Sequence, residues 1–126
     1  MNRLVAIAVG GVLGSLGRYG LSVLVTGWLG TGWPWATLLE NILGCLAIGV
    51  IASSAAVRRG PDWLRPFAIT GVLGGFTTFS AFALETGVLL DSGRALSAAV
   101  YVGATMIVGL LAVRLGSALT DREESA

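Results

Sequence analysis

Asn41, Thr78, Phe79, Ser80 and Phe82 are the side chains of this sequence with the means to surround a small anion. An amide offers two N–H donors and an acceptor, and a hydroxyl offers one donor. A phenyl ring has an electropositive edge. Together such groups hold an anion with no full positive charge beside it, which favours release over tight binding. Each also has a plainer use. Phe79 and Phe82 are spaced i, i+3 and would pack a core from one helical face. Asn41 would bind an anion, bind a carbonyl, or tie two helices together. Arg18, Glu40 and Glu85 lie in or near apolar segments, where a charge is costly and marks function or a buried pair. Arg18 near the end of its segment is placed either to snorkel or to work. Glu85 would face an aqueous vestibule or pair with an Arg. Glu40 has three readings: a protonated silent carboxyl, a partner for Arg18, or a wet vestibule residue, the last two preferred.

The elements that must position these groups are apolar. Of 126 residues, 55% are hydrophobic and 12% charged, and mean hydropathy is +0.84. That is the composition of a membrane protein. Every basic residue is Arg, and His is absent, which removes the usual general base and the commonest metal ligand. No nucleophile–base pair is visible, so no catalytic residue and no enzyme are expected. The net charge of +1 points to no nucleic-acid partner. Cys45 has no second cysteine to pair with and reads as a small packing residue.

Apolar runs at about 4–25, 35–57, 65–90 and 95–119 predict four membrane helices in one all-α domain, with short connections between them. The third holds Gly71-Val72-Leu73-Gly74-Gly75-Phe76-Thr77-Thr78-Phe79-Ser80-Ala81-Phe82. Gly-Gly loosens a helix, and non-helical backbone at membrane depth survives only against protein or a wet cavity. The stretch therefore predicts a broken helix at a buried polar site, or else a small-residue packing face. Gly10/Gly14, Gly11/Ser15 and Cys45/Gly49, each spaced i, i+4, predict close helix contacts. Four spans put both termini on one side with the 58–65 loop. Arg3, Arg58, Arg59, Arg65 and Arg122 fall there against Arg94 opposite, which places the termini in the cytoplasm. So thin a bundle could hardly shield a polar pathway alone, and a dimer is expected.

The chain resembles the bacterial fluoride channel family (Fluc/CrcB) over nearly its whole length. The resemblance rests on Gly10-Gly11-Val12-Leu13-Gly14-Ser15-Leu16-Gly17-Arg18-Tyr19, on Thr37-Leu38-Leu39-Glu40-Asn41-Ile42-Leu43-Gly44, and above all on the 71–82 stretch followed by Glu85. It implies four-helix subunits that pair as antiparallel dimers with two fluoride pores, and a third helix broken at its centre. It implies pore-lining Asn41, Phe79, Ser80 and Phe82, with Thr78 and Tyr101 as neighbours, and a structural or vestibular Arg18. It also implies a structural, untransported Na⁺ on backbone carbonyls of Gly74 and Thr77. The function implied is passive export of toxic fluoride across the bacterial inner membrane. Ala36 and Glu40 depart from the family, which often has Gly and an apolar residue there. The Arg bias favours one orientation, so pairing with a second, oppositely oriented family member stands beside the homodimer. The rival reading is a small four-helix proton-coupled multidrug exporter using Glu40 for cationic substrates. That class gives the 71–82 stretch no task. A purely structural membrane protein is a third reading.

Overall fold

The computed structural model describes residues 2–125, with side chains through Asp121; Arg122 lies outside the described side chains. Among the described residues four helices are long and apolar enough to cross a membrane: Arg3–Leu29, Trp35–Ser53, Pro66–Asp91 and Ala95–Asp121. The chain is an all-α, multi-pass membrane protein whose third span is interrupted.

Helix α1 spans Arg3–Leu29, opening on the Asn2 side chain, which accepts from Leu4 N–H at 3.0 Å, and closing on Gly30 at φ 73°. Its lipid-type outer face exposes Leu4, Val5, Val12, Leu13 and Leu16. Helix α2 spans Trp35–Ser53. It stops earlier than the expected 57, because Ser54 is extended and a short α3, Ala55–Arg59, follows. Helix α4 covers 66–76, with wide π-type turns over Pro66–Leu73 and α-helical turns over Gly74–Phe76. Helix α5 spans Phe79–Asp91, and α6 runs over Ala95–Ser125, longer than the expected span.

Small residues set the packing. Gly10 and Gly14 of α1 meet Gly71 and Phe76 of α4 backbone to backbone: a Cβ on Gly10 would lie 2.5 Å from Phe67 O and 3.0 Å from Gly71 Cα. The α2 pair Cys45 and Gly49 meets Gly109 and Gly116 of α6. Both expected small-residue faces are used, within one chain. Gly75 is spent in the same way, since a Cβ there would stand 2.5 Å from Gly11 O. Helix α4 therefore stays helical through the Gly-Gly pair, and the interruption comes later, at extended Thr77 and Thr78. At the other end of the bundle, Arg94 donates to Gly32 O at 2.8 Å and Trp33 Nε1 to Ser97 Oγ at 2.9 Å, fixing α6 to the α1–α2 loop.

Candidate functional site: the break in the third span and its two cavities

A helix that stops leaves backbone groups without partners. Asn41 of α2 supplies them here. Its Nδ2 donates to Thr78 O at 3.0 Å, and its Oδ1 accepts from Thr78 N–H at 2.9 Å. The side-chain amide thus clasps one residue of the break, holding both the N–H and the C=O of Thr78. Thr78 restarts the chain as the cap of α5, its hydroxyl accepting from Ala81 N–H at 3.2 Å. The same hydroxyl lies 3.2 Å from Ser80 Oγ. Two helical bonds are diverted in consequence. In a continuous helix Thr78 N–H would go to Gly74 O, and Ala81 N–H to Thr77 O; here Asn41 and the Thr78 hydroxyl take them.

Of the two readings of Asn41 as a binder of carbonyl or anion, the carbonyl contact is made. One amide N–H stays over after Thr78 O is served. Likewise the Thr78 and Ser80 hydroxyls share one hydrogen between them, leaving the other to give. A cavity of about 530 Å³ opens beside these groups, lined by Asn41, Thr78, Phe79, Phe82, Gly74 and Thr77 among others. Phe79 and Phe82 lie with ring centroids 5.8 Å apart, but they differ sharply: Phe82 is 7% exposed and Phe79 74%.

Glu85 is one turn further along α5. Its Oε1 accepts from Thr37 Oγ1 at 2.8 Å and its Oε2 from Tyr101 OH at 2.7 Å. Both carboxylate oxygens are held by hydroxyls, and the expected alternative of an Arg partner is not what holds them. Tyr101 is fully buried, with Phe82 and Trp33 packed on its ring at 5.3 and 5.4 Å. A second cavity of about 320 Å³ is lined by Thr37, Glu85, Ser92, Arg94, Ser22 and Thr26. So α5 reaches the first cavity with Phe82 and the second with Glu85, and Tyr101 packs between.

Glu40 is not the wet residue expected. It is 3% exposed, and its Oε1 has no hydrogen-bond partner. Nor does its carboxylate form a salt bridge with Arg18. Arg18 is half-buried and lies well inside α1, which runs past the expected end at 25, so snorkelling from a helix end is not its setting.

The family model described as "CrcB-like protein, Camphor Resistance (CrcB)" matches residues 5–117. The chain belongs to the CrcB family. It is similar to a Paracoccus denitrificans CrcB relative named "Fluoride-specific ion channel FluC", with 49% identity over 110 residues, 87% of each chain. Relatives of the same name from Hyphomonas neptunium (42% identity, 92% of this chain and 93% of the relative) and Thermus thermophilus (45%, 94% and 98%) align almost end to end. Those relatives are bacterial, and with four apolar spans this CrcB chain is a multi-pass protein of the bacterial inner membrane.

Sequence reasoning missed Thr37 as a group that touches the site, although it lies one turn before Glu40 and Asn41 in the quoted motif. It also passed over Arg114, which is exposed on α6. Its signal was plain: a single basic residue in an apolar run.

Proposed function

We propose that this chain is a fluoride-selective passive channel that lets toxic cytoplasmic fluoride leave the cell. Hydrogen fluoride crosses membranes as a neutral molecule, ionises in the less acidic cytoplasm and is trapped there. A passive leak for the anion lets the membrane potential drive it out, with no chemical step. The observation that carries the reading is the Asn41–Thr78 clasp at the break, in a chain 49% identical to a relative named for fluoride conduction.

In this reading the leftover Asn41 N–H, the Thr78 and Ser80 hydroxyls and the ring edges of Phe79 and Phe82 take turns at a dehydrated fluoride. No full charge stands among them, so no step is a trap. Beyond Phe82 the hydroxyl of Tyr101 and the carboxylate of Glu85 hold the far end in shape. Glu85 on the second cavity would repel an anion and so hasten its departure, while Arg94 on the same cavity attracts it. Arg18 acts structurally or at the vestibule.

The working unit is a dimer of single four-helix domains, arranged antiparallel, as either a homodimer or a pair with a second family member. A structural Na⁺ belongs to the same reading. Gly74 and Thr77 are among the carbonyls that lose their helical donors at the break, and backbone carbonyl oxygens suit a hard cation. These two residues from each subunit would hold the ion, which would supply the positive charge that keeps two facing breaks together.

Expression in a fluoride-sensitive bacterium without its own exporter tests the function. The chain should restore growth in fluoride, and Phe82→Ile should not. Growth restored only when a second family member is supplied would select the mixed dimer. The exporter alternative predicts instead resistance to cationic toxins that is lost with Glu40→Gln.

A further inference from the structure

Glu40 is buried to 3% exposure, has an unpartnered Oε1, and lines neither cavity. The anion path therefore gives it no task. The groups that act on it electrostatically are Arg18 of α1, which attracts its charged form, and Glu85 of α5, which repels it. Tyr101 is the titratable group of α6 within its reach, and α4 carries none over 66–76. A carboxyl so enclosed either holds a proton or must gain a partner for its charge. One residue further along α2, Asn41 clasps the break.

We propose that Glu40 is a proton-binding site that links pH to the geometry of the third-span break. Its effect on flux rests on the channel reading above, whereas its proton binding does not. With the proton on, Glu40 is neutral, and α1 and α2 keep the packing described. When the proton leaves to water, the carboxylate draws the Arg18 guanidinium across the α1–α2 contact. Helix α2 shifts with it, and Asn41 slackens its hold on Thr78. The new negative charge also opposes an anion at the break. Fluoride throughput then falls as pH rises.

Glu40→Gln keeps the shape and removes the proton. The purified wild type and E40Q, reconstituted in liposomes, are compared from about pH 5 to about pH 9, the range in which a buried carboxyl titrates. Protein-free liposomes correct for leakage of neutral hydrogen fluoride. Wild-type fluoride release should fall roughly tenfold across the range, the effect of one charge placed near the path. E40Q should hold the acidic rate throughout. Infrared spectra of the same samples read the proton directly. The wild type should show the carbonyl-stretch band of a protonated carboxylic acid that fades as pH rises and is missing from E40Q. Arg18→Gln should move that fading to higher pH, since the charged form loses its partner. Identical infrared spectra for wild type and E40Q would overturn the proton site whatever the flux. Matching pH profiles of flux in the two proteins would overturn the link to the break. A wild type that shows the band yet passes no fluoride at any pH supports the site and counts against the channel reading instead.

Discussion

Asn41→Ala removes the clasp and leaves both backbone polar groups of Thr78 without it. Thr78 is 8% exposed, so solvent replaces little. An unsatisfied buried donor or acceptor costs about 1–3 kcal/mol, and two groups are orphaned at once. The first cavity borders Thr78 and can admit water to one of these groups, so the low end of the sum applies, about 2 kcal/mol. In the unfolded-in-membrane reference the same backbone is helical and satisfied, so the loss falls on the folded state. Unfolding in detergent micelles, followed by helix content, should show this loss. Asn41→Asp should lose at least as much at neutral pH, because its carboxylate accepts from Thr78 N–H but sets an unpaired negative charge against Thr78 O. Both variants should also slow fluoride release. An Asn41→Ala protein that unfolds at the wild-type point but conducts nothing would refute the clasp and make Asn41 an anion ligand alone.

Glu85→Gln swaps an oxygen that accepts for a nitrogen that donates, so the Thr37 or the Tyr101 hydroxyl loses its acceptor; about 2 kcal/mol of stability should go, and the Tyr101→Phe change should cost less when added to it than alone in an unfolding cycle. Gly14→Ala puts a methyl against the Val72 carbonyl and the Phe76 N–H, neither of which can turn aside; it should cost about 1–3 kcal/mol, while Gly20→Ala, with open space around it, should stay within about 0.5 kcal/mol. Phe79→Ile, at an exposed ring, should leave monomer unfolding unchanged and lower fluoride release in liposomes. Normal release by this variant would remove the ring-edge argument.

The four spans were legible because apolar length is a direct physical requirement of the bilayer. The small-residue faces were legible too, since Gly at i, i+4 has few uses but close approach. What escaped was rotation and depth. Whether Glu40 faces water or protein depends on how α2 is turned, and that is decided by Gly49 against Gly116 and Gly44 against Thr77, partners remote in sequence. The break falls within the 71–82 stretch as expected, but its exact position is set by partners outside that stretch. Gly74-Gly75 looks like the weak point, yet Gly75 is committed to contact with α1, and Asn41 holds Thr78, two residues beyond Phe76. Thr37 could not be ranked above other hydroxyls until Glu85 was seen to accept from it.

Fluoride release from liposomes that contain only this purified chain, followed with a fluoride electrode and with chloride as control, tests the central claim most directly. Rapid loss of fluoride with chloride retained is the predicted result. Equal passage of both anions, or no passage of fluoride either alone or with a second family member, would contradict it.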